Sequence, residues 1–129
     1  MPLSVPIRNA SLTPNPELRY GISDSDKKDG RKMKRAADCE TMDEVRAEID
    51  RVDRALVALL AERWTYVDRA WVFKRSAAEA SVPWRNRDVI EKVKARASEE
   101  GMPPEMAEAL WRLIIGWGIQ YEEERLSGK

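Results

Sequence analysis

Arg63 and Lys74 are the first residues here whose type and placement suggest chemistry. They stand eleven residues apart in the run TMDEVRAEIDRVDRALVALLAERWTYVDRAWVFK, from Thr41 to Lys74. At about 100° per residue of helix, both fall near the line of Val45 and Val52. Two cations therefore point where a core is expected. Arg46 lies about a quarter-turn away on the same helix. Glu122 is a third charge on an apolar face, four residues after Gly118 and seven after Ile115, with Trp111 on the same stripe. Arg87 and Asp88 sit early in a further helical run, PWRNRDVIEKV.

Two accounts of these charges stand side by side. A buried cation costs several kcal/mol, on the order of a lost fold, unless an anion meets it. The protein can supply that anion in a salt-bridge network between helices. Glu62, Asp68 and Asp53 are close in sequence but point mostly to other faces. Alternatively, the cations form a pocket for a small polyanion. Arg offers a two-pronged match to a carboxylate, and Lys a point charge. Basic groups outnumber acidic ones in this set, which favours an anionic guest.

The run from Thr41 has apolar residues at helical spacing: Val45, Ile49, Val52, Leu56, Leu59 or Leu60, Val67 and Ala70. Thr41 and Glu44 form a capping box, and Asp43 and Glu44 suit the positive end of the helix dipole. No Gly or Pro interrupts it, so one helix is predicted from Thr41 to about Lys74 or Arg75. A loop of small residues, SAAEASVP, follows. A second helix is predicted from Trp84 to Ser98, with Val89, Ile90 and Val93 inward, stopped by Gly101. Pro103 and Pro104 fit the first turn of a third helix. That helix carries Met106, Leu110, Trp111, Leu113, Ile114, Ile115, Trp117 and Tyr121, and ends in EEERLSGK. The fold class is all-α: long helix, short helix, medium helix, with no strand signal.

Residues 1–37 read as a disordered extension, with Pro2, Pro6, Pro14 and Pro16 and then a polar run without period. Lys27, Lys28, Arg31, Lys32, Lys34 and Arg35 are diluted by Asp24, Asp26 and Asp29, as in a solvated tail. Met33 is a candidate start codon. Residues 38–129 form the expected helical domain.

Composition removes several function classes. The chain has 129 residues, 23 basic and 23 acidic, so zero net charge argues against general attraction to nucleic acid or an anionic membrane. There is no histidine, which removes Ser-His and Cys-His catalysis and the commonest metal ligand. Cys39 is alone, which excludes an internal disulfide and fits a reducing compartment, the cytoplasm. No apolar run is long enough to span a membrane, and no secretory signal is expected.

Length adds a quaternary expectation. About 34 helical residues span about 50 Å. A globule of about 95 residues is only about 30 to 35 Å across. The long helix must overhang its own domain with its apolar stripe uncovered, and a homodimer with two long helices side by side covers it.

The pattern VRAEIDRVDRALVALLAER, then FK, then PWRNRDVIEKV, then LWRLIIGW resembles the all-helical chorismate mutase family over about residues 39–125. The opening DCETMDEVRAEID also resembles the branch containing isochorismate-pyruvate lyases, which make salicylate. The resemblance implies an intertwined dimer with two active sites, each mostly inside one chain and completed by an arginine of the other. It implies a dicarboxylate substrate, chorismate, and no cofactor. Arg46 matches the arginine lent to the partner's site, and Arg63 the one that clamps a carboxylate. Lys74 matches the lysine contacting the second carboxylate and the ether oxygen of the breaking bond. Arg87 matches a residue near the ring. Asp88 takes the place of a glutamate that hydrogen-bonds the ring hydroxyl, one methylene shorter. Bacterial members commonly carry glutamine where this chain has Glu122, whereas the fungal branch has glutamate. A glutamate donates to the ether oxygen only when protonated. Gly118 stands where others have serine or a bulkier residue, implying a roomier or wetter site.

Two activities and one inactive alternative follow from the resemblance. Chorismate mutase chemistry needs no proton transfer and no covalent intermediate, which suits a chain without histidine. An isochorismate-pyruvate lyase would use the same cations for a related elimination. A helical dimer with a structural salt-bridge core, or a relative that has lost activity, is the non-enzymatic alternative.

Overall fold

The computed structural model describes residues 33–128. Most of the expected disordered extension and of its basic cluster lies outside those residues. The described chain divides into two compact units, one ending at Tyr66 and the other starting at Val67. Its elements are α1 (Met42–Ala70), α2 (Pro83–Glu100) and α3 (Pro104–Leu126), with 3-10 turns at Ala36–Asp38, Trp71–Phe73 and Ala77–Glu79. Among the described residues there is no strand, in agreement with the all-α expectation.

The first unit holds most of α1, to Tyr66, and the turn before it. Thr41 Oγ1 accepts from the Glu44 N–H at 3.1 Å. Glu44 Oε2 reaches back to the Glu40 N–H at 2.8 Å, one residue earlier than a standard capping box. Lys34 Nζ joins Glu44 Oε1 at 2.8 Å, so order begins several residues ahead of the helix. Past the cap the apolar stripe is open. Ile49 and Leu56 are each about half exposed, and no residue of α1 is buried.

α1 ends at Ala70, earlier than the periodicity predicts. Trp71, Val72 and Phe73 tighten into a 3-10 turn, a common way to finish a helix. Lys74 closes that turn, its N–H bonding Trp71 O at 3.1 Å, with extended backbone at φ −96° and ψ 150°. Projecting Lys74 along the helix line of Val45 therefore fails. Its side chain is aimed by the turn, not by helical phase.

α2 starts one residue earlier than expected, with Pro83 in its first turn, where a missing N–H costs little. It stops at Gly101, at φ 79° the one left-handed residue among those described. The Met102 N–H bonds Ala97 O at 2.8 Å and the Gly101 N–H bonds Ser98 O at 3.3 Å, the two bonds of a Schellman motif. A Cβ is disfavoured in that conformation, so Gly101→Ala is expected to destabilise the protein by about 1 kcal/mol. A urea titration of both proteins checks this.

The second unit packs α2 and the two later 3-10 turns against α3. Its buried apolar residues are Ala80, Ile90, Ala97, Ala107 and Leu126. Gly118 is buried too, and a Cβ built there would meet Val67 Cγ1 at 3.5 Å. Small side chains thus let the elements approach closely. Of the large apolar residues that α3 carries, Trp111, Ile114, Ile115 and Tyr121 are half-buried, whereas Leu113 is 68% and Trp117 72% exposed. On α2, Ile90 is buried, and Val89 and Val93 are half-buried.

Three carboxylates of this unit sit below the usual carboxylate range. A hydrogen bond from Tyr121 lowers Asp68, one from Lys92 lowers Asp88, and one from Lys94 lowers Glu108. The native state therefore binds fewer protons than the unfolded chain as these groups titrate. The stability they supply is complete above the ordinary carboxylate pKa of about 4 and is lost as pH falls through the lowered values. Urea midpoints should hold between neutrality and about pH 5 and drop below about pH 4.

Candidate active site

α3 grips the end of α1 and the turn after it through consecutive residues. Glu122 is 5% exposed, the one buried charged residue among those described. Lys74 Nζ donates to Glu122 Oε2 at 2.6 Å and to the Ala80 carbonyl at 3.2 Å. One residue earlier, the Tyr121 hydroxyl donates to Asp68 Oδ1 at 2.5 Å. The same oxygen of Asp68 accepts from Trp71 Nε1 at 3.3 Å. Arg125 Nε donates to the Tyr121 hydroxyl at 3.1 Å, and its guanidinium lies 5.2 Å from that ring's centre.

A cavity of about 480 Å³ opens between α2 and α3. Ile90, Ile115, Gly116 and Ile119 give it an apolar floor, Asn86, Arg87 and Arg112 bring donors to it, and Glu91 and Glu108 bring carboxylates. Asn86 Nδ2 donates to Ser81 Oγ at 3.2 Å, and Ser81 directly follows Ala80, whose carbonyl holds Lys74. The cavity wall and the lysine are thus joined through one short segment. Across the helix pair, Lys94 Nζ meets Glu108 Oε1 at 3.4 Å.

The structure brings Lys74 and Glu122 together and sets Arg87 on the cavity. Asp88 is elsewhere on α2. Its Oδ2 is held by Arg85 and Lys92, both at 2.9 Å, and it does not line the cavity. The α2 stripe is Asn86, Ile90, Val93 and Ala97, at spacings of four, three and four. Asp88 is off it and Asn86 on it, so the signal for Asn86 was present in the sequence. The Ala80 carbonyl is a backbone group and left no such signal. Arg46 and Arg63 belong to the first unit. Arg63 is half-buried, and Arg46 is exposed with its guanidinium 4.0 Å from Asp43.

Lys74 answers the salt-bridge account as far as it goes, since a carboxylate of the same chain meets it. Every buried side-chain nitrogen or oxygen among the described residues has a hydrogen-bond partner. The pocket account has a void with Arg87 and Arg112 on its wall, but Glu91 and Glu108 share that wall and neither Lys74 nor Glu122 lines it. No group of three or more potential ligands suited to a metal ion occurs among the described residues. No described helix is long and apolar enough to cross a membrane.

Residues 45–123 match the family described as chorismate mutase type II, and the chain belongs to that family. One relative is the isochorismate pyruvate lyase of Pseudomonas aeruginosa. It is 34% identical over 87 residues, which span 67% of this chain and 86% of that protein. No solved structure matches.

Proposed function

We propose that this protein is a chorismate mutase, rearranging chorismate to prephenate. The observation that carries this reading is the buried Lys74–Glu122 pair at 2.6 Å. In the Claisen rearrangement an ether C–O bond breaks as a C–C bond forms, with no proton moved. The protein has to hold a dianion in its reactive shape and stabilise charge on the ether oxygen. Lys74 turns its ammonium to that oxygen and a carboxylate, and Glu122 donates a second hydrogen bond there. Arg63 clamps a carboxylate, and Arg46 of the partner completes the site. Arg87 serves the ring end. The ring-hydroxyl role falls to Asp88 only if it leaves Arg85 and Lys92; Asn86 already lines the cavity.

The catalytic domain is residues 38–129, and its dimer covers the open stripe of α1. Its site is cytoplasmic and works without a cofactor. A second reading, isochorismate-pyruvate lyase, is favoured by the named relative and uses the same cations for C–O cleavage. Incubating purified protein with chorismate and with isochorismate separates the two. Prephenate supports the mutase, salicylate the lyase, and neither product the inactive dimer.

The donor role of Glu122 has its own test. A carboxyl donates only when protonated, whereas an amide always can. Glu122→Gln is therefore expected to keep at least the unmodified rate on chorismate, and a loss of about a hundredfold removes Glu122 from the donor role.

A further inference from the structure

Lys74 lies beyond the last turn of α1, on extended backbone, so helical phase does not hold it. Two neighbouring residues of α3 fix the segment that carries it. Tyr121 bonds Asp68 at the segment's start, and Glu122 bonds Lys74 at its end. Catalysis as proposed above requires the second of these contacts to loosen, because the ammonium must turn from Glu122 toward the substrate. The first contact does not involve the substrate and persists through that exchange. It is also braced from both sides, by Trp71 within the segment and by Arg125 on α3.

We propose that Asp68 and Tyr121 are positioning residues for Lys74: a clasp that keeps the 3-10 turn Trp71–Phe73 seated on α3 while the lysine changes partner. A single exposed hydrogen bond adds little to global stability. Its value lies in geometry, since a misplacement of about 1 Å at a reacting group can cost about a hundredfold in rate. The inference rests on the proposed role of Lys74, but the clasp can be tested without turnover.

The test compares Tyr121→Phe and Asp68→Ala, singly and together, with Gly101→Ala as a control that destabilises the same unit away from the lysine and the cavity. Each protein is assayed on chorismate, melted in urea, and exposed to an amine-acylating reagent, with Lys74 labelling followed by peptide mass spectrometry. The clasp variants are expected to lose about tenfold in kcat with KM within about twofold. The double variant should be no worse than either single one, as for two halves of one contact. Lys74 labelling should quicken several-fold in both. Gly101→Ala should shift only the urea midpoint. Unchanged Lys74 labelling in Tyr121→Phe overturns the clasp, as does a kcat loss that Gly101→Ala reproduces. If the unmodified protein turns over neither chorismate nor isochorismate, the proposed function fails on its own, and the labelling rates still decide the clasp.

Discussion

Lys74→Ala is expected to lower kcat/KM for chorismate by about a thousandfold. A fixed donor aimed at oxygen charge developing in a transition state is commonly worth about 10² to 10³ in rate. Lys74 adds a full positive charge to that role. The variant has a second consequence. It leaves the Glu122 carboxylate, 5% exposed, without its cation. Removing one member of a buried ion pair destabilises by on the order of 3 kcal/mol. Rate and stability would then fall together and be confused. The double variant Lys74→Ala, Glu122→Gln separates them, because a neutral amide needs no counter-charge. Its urea midpoint should recover most of the loss, and its rate should not. If the double variant regains activity, the pair is structural and the electrostatic mechanism is wrong.

Mixing two inactive variants is expected to restore activity. Arg46→Ala disables the site that borrows this arginine, and Lys74→Ala disables the site of its own chain. In a heterodimer of the two, one site combines an intact Lys74 with the partner's intact Arg46, and the other lacks both. Every doubly tagged dimer is hetero, with one good site of two, so that fraction is expected to show about half the unmodified activity. Co-expression with different affinity tags, followed by assay of the doubly tagged fraction, measures it. Without subunit exchange between sites the fraction stays inactive, and Arg46 acts within its own chain or not at all.

How much of this was legible beforehand differs from element to element. The stop at Gly101 and the start at Pro104 are local chemistry, a left-handed glycine and a ring without an N–H. Such signals survive any tertiary context. Glu122 was visible as a charge on an apolar stripe. Lys74 was singled out by helical phase, which is not what places it. Its place depends on a 3-10 turn among Trp71, Val72 and Phe73, and periodicity carries no information about where a helix tightens. Asp88 was assigned through the family resemblance, as the place of a glutamate, and Asn86, on the stripe of Ile90 and Ala97, was not weighed. The Tyr121–Asp68 contact spans 53 residues of sequence, and no local pattern announces such a meeting.

The alanines and the glycine at the α3 contact have a consequence for how this protein can change. Ala80, Ala97, Ala107 and Gly118 have no rotamers to rearrange. Enlarging one of the three alanines shifts backbone instead of repacking a neighbour, whereas at Gly118 one added methyl meets Val67 Cγ1 at an ordinary 3.5 Å. Evolution therefore has little room to retune the interior by exchanging one bulky side chain for another. Drift toward a new substrate is channelled to the rim: the cavity wall at Asn86 and Arg87, and the segment that carries the lysine.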